Sequence, residues 1–218
     1  VPVVVATSGI TLGGGCELSL HADSIQAHSE TYMGLVELGA GLIPAGGGTK
    51  ELVMRTASQY GKGDPEFNKI MESFMNIASA KVSTSAKEAV EMGYITKKDK
   101  QTTNRKNLLK DAKNTVLNML SYGYIKPTVN KKIKVHGRSA LAMFNAGVET
   151  MKQGKYISEY DQKLAQKLAY IMCIFLLILI IIPLLKKRND NSLIYHPNDI
   201  NYIIGDNKSK IRAVPTLH

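Results

Sequence analysis

Gly9-Ile10-Thr11-Leu12-Gly13-Gly14-Gly15-Cys16-Glu17-Leu18 is the stretch that decides the fold of this 218-residue chain. A β-branched run, Val3-Val4-Val5-Ala6, precedes it and reads as a buried strand. Gly13 to Gly15 read as a tight turn, and residues 14–22 as a short helix entered through glycine. Glu17 falls in the first turn of that helix, where the helix macrodipole suits a carboxylate. A second acid, Glu37, stands twenty positions on in Glu37-Leu38-Gly39-Ala40-Gly41-Leu42-Ile43-Pro44. Its neighbours Leu35, Val36 and Leu38 are apolar, and apolar surroundings favour the protonated form of a carboxyl. Two carboxyls separated by environment can divide base and acid work. Glycines beside them let backbone N–H groups approach an oxygen that gains negative charge. The combination suggests chemistry on a carbonyl compound.

Working outward, residues 24–27 read as a short strand and residues 29–48 as a structured, glycine-punctuated loop. Helices are expected over residues 49–57, 64–78, 85–92, 104–120, 140–152 and 159–169. Asp64, Pro65 and Glu66 supply a cap, a first-turn proline and an early acid for the second of these. Thr84 or Ser85 is the expected cap of the third, with Glu88 as the matching acid. The helix over 104–120 reads as amphipathic, with apolar Leu108, Leu109, Ala112, Val116 and Leu120. The chain opens on Val1 and a strand-like run, which reads as a cut edge.

Composition bounds the chemistry. The net charge of +10 suits acidic partners, yet the chain has no Trp and its lysine runs carry little aromatic interleaving. A nucleic-acid groove built on base stacking is not expected. Cys16 and Cys173 make neither a disulfide framework nor a metal pattern, which points to a reducing compartment, and Cys16 reads as a small buried residue. His21, His28 and His136 lack ligand spacing, so no metal site is expected. Gly39-Ala40-Gly41-Leu42-Ile43-Pro44 has proline where a dinucleotide fingerprint needs glycine, and Gly46-Gly47-Gly48-Thr49-Lys50 reverses the P-loop order.

The two glutamate motifs, with Asp23, Ile25-Gln26-Ala27, Tyr32-Met33-Gly34, Gly46-Gly47-Gly48-Thr49 and Ala86-Lys87-Glu88-Ala89-Val90-Glu91-Met92-Gly93, resemble the crotonase (enoyl-CoA hydratase/isomerase) family. Gly34-Leu35-Val36-Glu37, Gly46 to Glu51, and Ala140 to Phe144 through Tyr156 to Asp161 are similar to one branch in particular. In that branch a hydratase domain follows an NAD-dependent 3-hydroxyacyl-CoA dehydrogenase domain in one chain. The resemblance implies an α/β fold: a crotonase-type ββα spiral, here a partial core over residues 1–125, then C-terminal helices over 126–170. It implies Glu17 and Glu37 as catalytic residues, Gly14 as an oxyanion donor, and Leu12, Gly13, Pro44 and Ala45 as substrate-binding. The family often has glycine where Ala45 stands. The implied substrate is a coenzyme A thioester. No cofactor is expected in this segment, and NAD only in an attached dehydrogenase domain. A homo-oligomer without nucleic acid, in the cytoplasm, completes the expectation. Double-bond isomerisation and a non-catalytic, membrane-tethered acyl-CoA binder are the alternatives.

From Leu168 to Leu185 the chain runs eighteen residues without a charge, bounded by Lys167 and Lys186. Three readings compete: a membrane span at the lower length limit, a buried oligomer helix, or an aberrant end over residues 171–218. The last is preferred, because the family likeness stops abruptly near Tyr170.

Overall fold

In the computed structural model the described residues are 1–58, 66–128 and 135–175. Three parallel strands form the sheet: β1 (Val4–Leu12), β2 (Ser24–Gly34) and β3 (Lys100–Thr102), in the order β1-β2-β3. Between β1 and β2 runs the short helix α1 (Gly14–Leu20). Register pairs Val4 with Ser24 at one end and Leu12 with Gly34 at the other, with an irregularity between Thr7 and Gly9. Parallel pairing therefore brings the last residues of β1 and of β2 side by side, and that shared end carries the site.

β1 extends past the expected strand to Leu12, and β2 extends through residues 29–34, which the sequence assigned to a loop. The extension of β2 is polar in sequence but ordered by tertiary bonds. The buried Thr31 hydroxyl donates to the Thr7 carbonyl at 3.1 Å, and the Met33 N–H donates to Ser83 Oγ at 2.9 Å.

A 3₁₀ turn (Glu37–Ala40) follows β2, then α2 (Gly48–Ala57), α3 (Glu66–Ala78) and α4 (Ala86–Glu91). Ser85 caps α4, its Oγ accepting from the Glu88 N–H at 3.2 Å while Glu88 accepts from the Thr84 N–H at 2.8 Å. Asp64 and Pro65, the expected cap of α3, lie outside the described residues. After β3 come a 3₁₀ turn (Arg105–Asn107) and α5 (Leu108–Ser121). The buried face of α5 is Leu108, Ala112 and Thr115, whereas Leu109 is 75% exposed and Leu120 is 49% exposed. Polar anchoring sets that face. Thr115 donates to Gln26 at 2.9 Å, Gln26 donates to Thr102 at 2.8 Å, and Thr102 donates to Asp111 at 2.8 Å.

Helices α6 (Gly137–Gln153) and α7 (Glu159–Tyr170), with a π turn (Ile171–Phe175), close the described chain. Their apolar residues Ala140, Phe144, Val148, Leu164 and Leu168 join the same core as Cys16, Ile25, Met33, Leu52, Phe74 and Ile77. Met172 and Cys173, at the start of the apolar run, are also buried there. Among the described residues no helix is long and apolar enough to cross a membrane; residues 176–218 lie outside them.

Candidate active site

The site begins at the turn after β1. Gly13 has φ +54 and ψ −126, a conformation that a side chain would strain. Its N–H donates to the Gly34 carbonyl at 2.9 Å, which ties the start of α1 to the end of β2. Gly14 is the first residue of α1, and an N–H in that position has no carbonyl of its own helix to bond. Gly14 is exposed, while Leu12 and Gly13 are partly buried. The N–H of Gly14 thus stands at the mouth of the shared strand end with the α1 dipole behind it.

Glu17 is buried, and its carboxylate caps a different helix. Oε2 accepts from the Gly46 N–H at 3.0 Å and Oε1 from the Gly48 N–H at 2.9 Å. These are amides at the start of α2, whose own N-cap, Gly47, makes no side-chain capping bond. The approach is tight. A Cβ on Gly46 would collide with Glu17 Oε2, and one on Gly48 would lie 2.9 Å from Glu17 Cγ. A carboxylate offers about four lone-pair sites, so two amide bonds leave acceptor capacity for a further proton donor such as water.

Glu37 opens the 3₁₀ turn that follows β2. Its Oε1 faces Gly13, 3.4 Å from where a Cβ would stand on that glycine. Its Oε2 is buried without a hydrogen-bond partner among the described residues. Burial raises its pKa above the ordinary carboxylate range, its own backbone N–H lowers it, and the charge of Glu17 raises it further. The two carboxyls therefore sense each other across the Gly13 turn, Glu17 held at both oxygens by amides of the α2 start and Glu37 left with one oxygen, Oε2, unpartnered among the described residues.

Pro44 is buried and Ala45 exposed, between Glu37 and the amides that hold Glu17. Cys16 is fully buried, and burial pushes its thiol up to about 12, so it is no nucleophile at neutral pH. His21 presents Nδ1 to the Glu17 carbonyl at 2.7 Å and lies 3.7 Å from Glu51. His28 meets the Thr103 carbonyl at 3.1 Å, and His136 packs edge-on against Phe67 with centroids 5.3 Å apart. No group of three metal-ligating side chains occurs among the described residues.

Sequence reasoning missed three supports. Gly46 and Gly48 hold Glu17, although the sequence offered only their glycine spacing. The Tyr94 hydroxyl accepts from the Leu35 N–H at 3.3 Å, fixing the strand end before Glu37. Arg55 donates to the Leu20 and Tyr94 carbonyls, each at 2.7 Å, joining α1 to the segment after α4.

No protein-family model matches the chain. A Bacillus subtilis protein named "Probable 3-hydroxyacyl-CoA dehydrogenase" is 47% identical over 171 residues, which are 78% of this chain and 21% of that protein. The human mitochondrial methylglutaconyl-CoA hydratase is 50% identical over 52 residues, 24% of this chain and 15% of that protein. An enoyl-CoA hydratase structure from Bacillus anthracis aligns over 89% of this chain and 62% of its own, with TM-score 0.42 and 24% identity. The chain thus spans about a fifth of the Bacillus subtilis relative it matches. With the paired glutamate motifs at one strand end and these sequence relatives, the chain belongs to the crotonase (enoyl-CoA hydratase/isomerase) superfamily.

Proposed function

We propose that this chain is the hydratase portion of a fatty-acid β-oxidation enzyme and adds water across the 2,3 double bond of a 2-enoyl-CoA. The carrying observation is the pair of carboxyls beside the Gly13–Gly14 turn: Glu17 held by two amides, and Glu37 with its pKa raised by burial. Glu17 takes a proton from water as the water oxygen bonds to C3. The electron pair of the double bond moves toward the thioester, and its oxygen becomes an enolate oxygen facing the Gly14 N–H. Glu37, protonated, delivers a proton to C2, and the enolate collapses to the 3-hydroxyacyl thioester. Leu12, Gly13, Pro44 and Ala45 line the substrate in this reading. No metal or redox group takes part in these steps.

The name of the Bacillus subtilis relative supports a further step. A 3-hydroxyacyl-CoA is the product of this hydration and the substrate of such a dehydrogenase. In this reading a dehydrogenase domain that uses NAD shares the protein with the hydratase portion.

The test uses the full-length protein with Glu17→Gln and Glu37→Gln, and measures hydration of a four-carbon 2-enoyl-CoA. Each variant is expected to lose about a hundred-fold or more in kcat. Turnover near wild type in both variants would remove the assignment.

A further inference from the structure

Beyond the two carboxyls, the structure holds a contact between the distant helix α7 and the loop that follows Glu37. Tyr160, the second residue of α7, donates its hydroxyl to the Gly41 carbonyl at 3.0 Å. Gly41 ends the 3₁₀ turn in the left-handed region, with φ +76. The Tyr160 ring covers it closely: a Cβ on Gly41 would lie 3.2 Å from Tyr160 Cε1.

The bond matters because of the peptide it touches. The Gly41 carbonyl and the Leu42 N–H belong to one planar unit. The Leu42 N–H donates to the Glu37 carbonyl at 2.9 Å. A continuous line therefore runs from the Tyr160 hydroxyl, through the Gly41–Leu42 peptide, to the backbone of Glu37. Linked hydrogen bonds of this kind polarise and strengthen one another.

Glu37 needs such support. Its turn has four residues, and short 3₁₀ turns have poor hydrogen-bond geometry. Oε2 of its side chain has no partner among the described residues that would anchor it. The α7 end of the line is firm. Ser158 and Asp161 form a reciprocal capping box at the start of α7, and Leu164, Ala165 and Leu168 bury its body in the core.

We infer that Tyr160 is a positioning residue for Glu37, clamping the Gly41–Leu42 peptide so that the carboxyl stays beside the Gly13 turn. The inference rests on the acid role proposed above for Glu37. It assigns to α7 a part in the chemistry: the helix sets the acid through a peptide plane without touching substrate. Tyr160 itself is 58% exposed, so loss of its hydroxyl costs little packing.

The test is Tyr160→Phe in the full-length protein, which keeps the ring and removes the donor. Two quantities are read: kcat and KM for hydration of a four-carbon 2-enoyl-CoA, and hydrogen exchange at the Leu42 amide. The expected result is a fall in kcat of about five-fold, KM within about two-fold of wild type, and faster exchange at Leu42. Unchanged kcat overturns the inference whatever the exchange shows, and so does a lowered kcat with unchanged Leu42 exchange. A wild-type protein that does not hydrate the ester removes the functional reading before any variant is made, and the inference falls with it. A wild type that hydrates it at a kcat shared by Tyr160→Phe removes the inference alone.

Discussion

At the residue scale, Glu17 and Glu37 carry the same carboxyl in opposite hydrogen-bonding situations, and stability separates them as well as activity. Glu17 accepts two backbone N–H bonds at the start of α2. A glutamine there turns its NH₂ toward one of those donors, so one bond is lost and a buried amide is left unpaired. Glu17→Gln is expected to cost about 2 kcal/mol of folding free energy, read by urea unfolding at pH 7. Glu37 Oε2 has no such bond among the described residues, and Glu37→Gln is expected to stay within about 0.5 kcal/mol. Its pH dependence has a definite sign. Burial first, and the charge of Glu17 third after the lowering effect of its own N–H, leave the folded-state pKa raised. The folded protein thus binds that proton more tightly than the unfolded chain. The stabilisation is fully present below the ordinary carboxylate value of about 4.3 and is lost as pH rises through the raised one. Urea midpoints of wild type should therefore fall relative to Glu37→Gln as pH climbs from about 4 toward neutrality. Parallel midpoints across that range would mean that Glu37 is solvated like any surface acid.

At the element scale, what the sequence revealed depended on whether the determinants were local. The cap of α4 is local: the sequence offered Thr84 or Ser85 with Glu88 as the matching acid, and the structure makes Ser85 the cap, three residues before Glu88. Ser85→Ala is expected to cost about 1 kcal/mol in chemical unfolding. Glu88 adds a pH signature. Hydrogen bonds from the Thr84 hydroxyl and N–H, then Lys81, hold its carboxyl down at about 2. That contribution is present above the ordinary carboxylate value and is lost as pH falls through about 2, so the melting curves of wild type and Glu88→Gln should converge in acid. The glycine runs were equally local, and they made Glu17 and Glu37 legible as a pair. The far half of β2 was not. Residues 29–34 look like the start of a loop until Thr7 and Ser83, from elsewhere in the chain, supply partners for Thr31 and Met33. β3 is a three-residue polar strand, Lys100–Thr102, with no periodicity to read. Leu109 and Leu120 misled for the complementary reason: a polar line through Thr115, Gln26, Thr102 and Asp111 fixes which side of α5 faces inward. The capping of α2 by Glu17 was invisible because a side chain of one helix performs it on another.

At the scale of the whole molecule, the C-terminal helices share one core with the sheet layer, and a single aromatic contact tests that unity. Phe74 of α3 and Phe144 of α6 stack with centroids 4.6 Å apart and planes 17° from parallel, both almost fully buried. Phe144 belongs to one buried cluster with Ala140, Val148, the α7 residues Leu164 and Leu168, and Ile77 and Leu52. Truncation to alanine removes the stack and leaves a cavity that these helices can fill only by moving. Phe144→Ala is expected to cost about 3–5 kcal/mol, and Phe144→Leu distinctly less because most of the volume is kept. The loss should appear in one cooperative transition. Hydrogen exchange of amides in β2, such as Ile25 and Met33, should accelerate together with that of α6 amides, since both layers bury the same apolar surface. An α6 that loosened while Ile25 and Met33 kept their protection would mean that the helices are a separate folding unit. In that case α7 would be too mobile to hold the Gly41 peptide, so the same exchange profile bears on whether Tyr160 can act on Glu37.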